Sequence, residues 1–280
     1  MTSFALRLPA RDLLQAWLAR RCRSLSDDDL RQPTLVVAPH PDDETLGCGG
    51  TIARRRALGG QVHVVAMTDG GRSHAGLMAA ETLSAIRRRE LSSAIEALGV
   101  DSQASWLGFS DGALAEAREA ATVALTRLVV ERAPRHLIVP LPNGEHPDHI
   151  AAHDIAFEAA RRSGLDLVVF EYPVWFWRRW PWVPLEARTP RQAVRGAARA
   201  ALGLRVLGTF DAAVDVRATL EAKRQALAAH ESQTTRLLPV PEWFTLDGVC
   251  EGEFLPLFFR DTEIFRRSVI APSRARASRG

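Results

Sequence analysis

A chain of 280 residues with 46% hydrophobic and 25% charged residues can bury a sizeable core, which excludes a disordered protein and fits one large α/β domain. No stretch approaches the roughly 18 apolar residues of a transmembrane segment, and Arg7, Arg11, Asp12, Arg20 and Arg21 break up the N-terminal region that a signal peptide needs apolar, so a cytoplasmic location is expected. The sequence pI near 9.1 goes with a net charge of only +3 and no nucleic-acid motif, so nucleic acid is not an expected partner.

The spacing of Leu13, Leu14, Trp17 and Leu18 predicts an N-terminal helix over about 11–31. Alternation of strand and helix patterns follows. A strand over Thr34–Ala38 leads into a glycine-rich segment, Gly47-Cys48-Gly49-Gly50, which precedes a helix running to about Leu58; Gln61 to Met67 is a second strand, closed by Thr68-Asp69-Gly70-Gly71. A long helix from about Ala79 to Leu98 precedes a short strand at Ser105 to Leu107. Ala115 to Arg132 reads as helix, His136 to Pro140 as strand, the region up to Arg162 as helix, and Leu167 to Phe170 as strand. This alternation predicts a mainly parallel, Rossmann-like open sheet with helices on both faces. From Tyr172 to about Leu207 it stops: Trp175, Trp177, Trp180 and Trp182 crowd together, prolines exclude a continuous helix, and an insertion over about 172–207 is expected. A strand over Phe210 to Val216 and a helix carrying Lys223 and His230 complete a single domain over 1–272, with 273–280 expected to be a disordered tail.

Two segments carry the chemistry. Ala38-Pro39-His40-Pro41-Asp42-Asp43-Glu44-Thr45 follows the apolar run Leu35-Val36-Val37, which places its polar groups at the carboxyl end of a buried parallel strand, where open α/β sheets form their sites. Glu145-His146-Pro147-Asp148-His149 lies far along the chain. Two histidines and a carboxylate suit a borderline metal such as zinc with one position left open, and a second carboxylate beside a ligand suits a general base. Helix capping alone would explain the prolines and aspartates, but not the density of metal-capable side chains. Cys22, Cys48 and Cys250 are widely spaced and odd in number, which argues against both a disulfide framework and a thiolate metal site.

The pair Pro-His-Pro-Asp-Asp-Glu and His-Pro-Asp-His resembles the PIG-L superfamily, or LmbE-like, N-deacetylases. Further pieces agree in order: Thr68-Asp69-Gly70, Arg88-Arg89-Glu90-Leu91, Leu107-Gly108-Phe109 with Asp111-Gly112, and Lys223 followed by His230-Glu231-Ser232-Gln233. The resemblance implies a zinc hydrolase that removes acetyl or other acyl groups from the amine of an amino sugar or sugar-containing metabolite. It implies His40, Asp43 and His149 as ligands, Asp42 as base, and His146 as the histidine assisting at the oxyanion or leaving amine. Asp148 is suited to orient His146, and a protonated His146 would stabilise the oxyanion. Glu44 and His230 read as supports of the site, Arg72 and Ser73 as contacts to substrate hydroxyls, and Arg89 with Glu90 as an ion-pair scaffold. His63, His74, His136 and His153 read as ordinary structural residues. One departure stands out: the tyrosine that some relatives place shortly before the second motif is missing, and Tyr172 is the single tyrosine of the chain.

Two neighbouring readings share these residues: an amidase acting on a natural product or thiol conjugate, and a non-catalytic metal- or sugar-binding accessory protein. The latter has no need of Asp42. The Trp-rich stretch suits a substrate platform, a flap completing the core, or a peripheral membrane contact that would present a lipid-linked sugar. The oligomeric state stays open, a homo-oligomer included.

Overall fold

The computed structural model describes residues 13–14, 17–18, 20–142, 146–178, 182–183, 201, 203 and 205–271. In chain order these form β1 (Arg23–Ser24), α1 (Asp27–Arg31), β2 (Thr34–Ala38), α2 (Asp43–Ala57), β3 (Val62–Thr68), α3 (Ala80–Ala97) and β4 (Ser105–Phe109). Then come α4 (Arg118–Arg132), β5 (His136–Pro140), α5 (Pro147–Ser163), β6 (Leu167–Tyr172), β7 (Ala212–Asp215), α6 (Leu220–Ala228), α7 (Glu231–Thr234) and β8 (Thr262–Ile270).

The strands make one eight-stranded sheet in the order β1-β7-β8-β6-β5-β2-β3-β4. Every pairing is parallel except those of β8, which runs antiparallel to both β6 and β7. All five residues of β2 are buried. Its Val36 joins Val64 and Ile138 in the core on one face of the sheet, while Leu35 and Val37 join Val65, Leu137 and Val139 on the other. A strand covered on both sides has to be apolar throughout, which is why this run carries no alternation. The chain moves from β2 outward to β3 and β4, then returns to lay β5 on the other flank of β2. The carboxyl ends of β2 and β5 therefore meet where the winding reverses, and the two motifs follow those two strands.

The structure corrects several expectations. The single helix over 11–31 is broken: Arg23 and Ser24 pair with Ala212 and Ala213 of β7, and a separate helix starts at Asp27. Ser26 and Asp29 form a reciprocal capping box there, a start signal inside what periodicity alone joins together. Strand β8, rich in arginine on its outer positions, was not expected. Tyr172 belongs to β6 and not to an insertion, and its hydroxyl donates to the Val37 carbonyl at 2.9 Å. Of the rest of 172–207, Trp175–Arg178 forms a short 3-10 turn, and Trp177 and Trp182 pack with Phe176 in the core. Trp180 and the tail over 273–280 lie outside the described residues. Among the described residues no helix is long and apolar enough to cross a membrane.

Gly47 lets α2 approach β6 closely, since a methyl group there would fall inside the ring of Tyr172. Gly47→Ala should lower the free energy of unfolding by about 1–3 kcal/mol, the usual cost of overpacking. Chemical denaturation checks this, and the loss should shrink in a Tyr172→Leu background; strictly additive effects would separate the two residues.

Candidate active site

Backbone geometry at the end of β2 sets the first motif. Thr68 donates from both its backbone nitrogen and its hydroxyl to the Pro39 carbonyl, fixing the chain as it leaves the sheet. Asp42 then turns it into α2 with φ of +133°, a conformation that costs a non-glycine residue on the order of 1–3 kcal/mol. Glu44 offsets the strain by accepting from the Asp42 backbone nitrogen at 3.0 Å. The Asp42 carboxylate makes no capping bond to the helix, so capping does not account for it. It accepts instead from the buried guanidinium of Arg87 at 3.0 Å.

The second motif starts α5 with Pro147 in its first turn, which brings His149 against the first motif. The Asp43 Oδ2 atom lies 3.1 Å from His40 Nδ1 and 3.2 Å from His149 Nε2. The rings of His40, His146 and His149 have centroids 4.8 to 5.6 Å apart. Donor atoms of His40, His146 and His149 fall within 4.8 Å of one another, as do those of His40, Asp111 and Asp148.

This donor set fits a cation for a reason visible at His149. Its Nε2 accepts from the Trp175 indole at 3.1 Å while also facing the Asp43 carboxylate. If Nε2 carries a proton, N–H meets N–H; if it does not, a lone pair meets a carboxylate. A metal ion bonded to Nε2 and Oδ2 removes the conflict. Tetrahedral ligands at about 2.0–2.1 Å stand roughly 3.3 Å apart, close to the separations found here. His40, Asp43 and His149 are thus brought together as the sequence predicts, and Asp111 and Asp148 fix the far nitrogen of His40 at 3.3 and 3.2 Å, the arrangement that orients a ligand imidazole.

Burial and charge set the titration of the cluster. Burial pushes the Asp42 carboxyl up to about 7, with Arg87 opposing and the Asp43 charge adding to the rise. Burial would raise Asp43 too, but the charges and hydrogen bonds of His149 and His40 hold it well below the carboxylate range. For His146, burial first and then the positive charges of His40 and His149 lower the pKa to about 4. Both effects favour the neutral imidazole over the protonated form that oxyanion stabilisation by His146 would need.

Asp148 also departs from its expected role. Its carboxylate accepts from the Gly112 and Leu114 backbone nitrogens at 2.7 and 3.1 Å and faces His40; His146 Nδ1 is buried with no partner among the described residues. Glu44 and His230 form the expected support, 3.0 Å apart and fully buried. Arg72 and Ser73 line a cavity of about 290 Å³ together with His40, Asp42, Asp43, His146 and Trp175. Glu90 accepts from Ser232 rather than forming the expected scaffold with Arg89. His63, His74, His136 and His153 bond to Ser105, Phe244, Arg55 and Glu171, outside the cluster.

Sequence reasoning gave no site role to Arg87, Asp111 or Gln233, whereas Trp175 lies in the cavity as the substrate-platform reading of the Trp-rich stretch anticipates. Arg87 could have been found: it shares the buried stripe of α3 with Leu83, Leu91 and Ala94, a place where an arginine needs a partner.

A family model described as GlcNAc-PI de-N-acetylase matches residues 35–160. The 1D-myo-inositol 2-acetamido-2-deoxy-alpha-D-glucopyranoside deacetylase of Rhodococcus opacus (strain B4) is 32% identical over 237 residues, covering 72% of this chain and 81% of that protein. The chain belongs to the PIG-L family. The enzyme of the same description from Nocardia farcinica is 34% identical over 265 residues, covering 79% and 87%. Among solved structures, N,N'-diacetylchitobiose deacetylase from Pyrococcus horikoshii superposes with a TM-score of 0.61 at 23% identity, covering 85% of this chain and 84% of the other, which establishes the shared fold. This PIG-L family member is accordingly a hydrolytic N-deacetylase carrying a candidate His/Asp metal site.

The purified protein should carry about one divalent metal ion per chain. Elemental analysis of His40→Ala and His149→Ala should show it depleted, because losing one ligand of three removes most of the affinity; full occupancy in both would refute the ligand set.

Proposed function

We propose that this chain is a zinc-dependent hydrolase that removes the acetyl group from the amine of an N-acetyl amino sugar, with an α-linked glucosaminide of a polyol as the leading substrate class. The observation that carries this reading is the cluster of His40, Asp43 and His149, within 3.1 to 3.2 Å of one another through Asp43, beside a second carboxylate, Asp42, buried enough to titrate near neutrality. The relatives from Rhodococcus opacus and Nocardia farcinica, described as deacetylases of an inositol-linked acetamido sugar, support the substrate class. A cavity of about 290 Å³ suits one sugar unit, and Arg72, Ser73, Asp111 and Gln233 supply groups for hydroxyls. Three free cysteines suit a reducing compartment, which supports the cytoplasm.

Held by His40, Asp43 and His149, zinc supplies Lewis-acid charge to the amide carbonyl and to a water. The carboxylate of Asp42, steadied by Arg87, takes a proton from the water as its oxygen adds to the carbonyl carbon and the C=O electron pair moves onto oxygen. When the C–N bond breaks, nitrogen keeps the bonding pair and takes up the proton that Asp42 held. His146, lining the same cavity, is placed to pass that proton on. The oxyanion's electron pair re-forms the C=O bond as nitrogen leaves, and the products are the free amine and acetic acid, which releases its proton to become acetate. Asp111 and Asp148 keep His40 in register throughout.

Asp42→Asn should retain metal and lose roughly 10²- to 10⁴-fold in turnover, the usual contribution of a general base; amine release from a panel of N-acetylated sugars measures it. Turnover near the wild-type rate with metal bound would overturn the mechanism. Since only the carboxylate form accepts a proton, kcat/KM should fall on the acid side of an apparent pKa at or below about 7, the metal's charge pulling it down from the burial-raised value. Arg87→Met removes a charge that lowers Asp42, so this acid limb should move to higher pH in a pH–rate profile.

A further inference from the structure

One polar group in the cavity has no task in the mechanism above. The indole Nε1–H of Trp175 donates to His149 Nε2 at 3.1 Å, and Nε2 is the atom that a metal would claim. When that nitrogen is claimed, the indole loses its acceptor, while its ring is held in place from several sides. Trp175 stacks on His146 at 5.9 Å and on Phe254 at 5.4 Å, each within 15° of parallel, and the Arg178 guanidinium lies 5.7 Å from its centroid. It lies three residues past the end of β6, in the short turn Trp175–Arg178. A fixed N–H without an acceptor in a half-buried cavity takes the next acceptor within reach.

Of the other donors in the cavity, Arg72 is assigned above to substrate hydroxyls and His146 to the proton, and the rest are bonded within the protein. The hydroxyl of Tyr172, the single tyrosine, is fully buried and bonded to the Val37 carbonyl. Arg87 donates to Asp42, Pro41 and Gly70. The amide of Gln233 donates to Ser232, with Ser73 at 3.4 Å. Trp175 also differs from a phenol or an imidazole in one useful respect: an indole nitrogen is a donor only and keeps its proton beside a general base.

We propose that Trp175 is the oxyanion donor of this active site, its indole N–H bonding the carbonyl oxygen of the N-acyl group as that oxygen takes up the C=O electron pair. The proton stays on the indole throughout, so the step adds charge stabilisation without a further transfer. This inference rests on the reading that an N-acyl bond is hydrolysed in this cavity.

Trp175→Phe keeps a ring that can stack on His146 and Phe254 and removes only the N–H. With zinc content unchanged, kcat should fall about 10²- to 10³-fold, the scale for losing one such donor, with little change in KM. A rate within about threefold of wild type overturns the proposal. A second measurement needs no turnover. In the zinc-loaded full chain labelled with ¹⁵N-indole, the resonance absent from Trp175→Phe identifies Trp175 among the seven tryptophans. It should move downfield on titration with acetate, whose carboxylate offers an oxygen to the same donor. An unmoved resonance overturns the proposal even if kcat falls, because the loss would then come through the stacked rings. Absence of amine release by the wild-type protein from every sugar tested would strike the proposed function, whereas the acetate titration reads out the indole separately.

Discussion

Asp42 and Asp43 set two carboxylates on consecutive residues in a place that water scarcely reaches, and like charges so placed cannot both ionise without cations beside them. Each has its own answer. Arg87 reaches Asp42 from α3, across 45 residues of sequence, and His40, in the turn after β2, and His149 of α5 bracket Asp43. The surrounding structure serves this division: Asp111 and Asp148 face the other nitrogen of His40, and Glu44 with His230 holds the strained turn from below. One carboxylate is left strongly acidic and suited to ligation, the other near neutrality and suited to moving a proton. Similar groups in adjacent positions acquire opposite tasks through their neighbours alone.

The metal motifs and the central strand were legible because their signals are local. Thr34–Ala38 is apolar without alternation, which in a chain of βαβ units means a strand covered on both faces, and the polar residues after it must then lie at the switch of the sheet. Arg87, Asp111 and Trp175 act through contacts with distant segments, and nothing in their immediate sequence names the partner. The role first given to Asp148 failed for a related reason. Its closeness to His146 in sequence suggested a contact, but the first turn of α5 points the carboxylate at the amides of Gly112 and Leu114.

The tryptophan cluster shows how composition misleads when it is read as a unit. Four rings within eight residues suggest one shared surface. The chain separates them by burial instead: Trp177 and Trp182 fill the core beside Phe176, and Trp175 turns back over the histidines. A 3-10 turn, with three residues to each revolution, puts neighbouring side chains on different sides. A ring at position 175 and a ring at position 177 therefore meet different surroundings.

The position of β8 in the sheet carries a consequence for how the molecule comes into being. This strand, late in the chain, fills the gap between β6 and β7, so within the described sheet the pair formed by β1 and β7 is hydrogen-bonded to the other strands through it. Its Glu263 accepts from the backbone nitrogens of Gly50 and Thr51 in α2 and from Lys223, anchoring the helix that Asp42 and Asp43 begin. During synthesis the ribosome makes the motif early and its anchor some 200 residues afterwards, so the nascent chain holds an acidic turn that stays without its anchor until β8 has been made. The geometry of that turn is then completed only once β8 has joined the sheet.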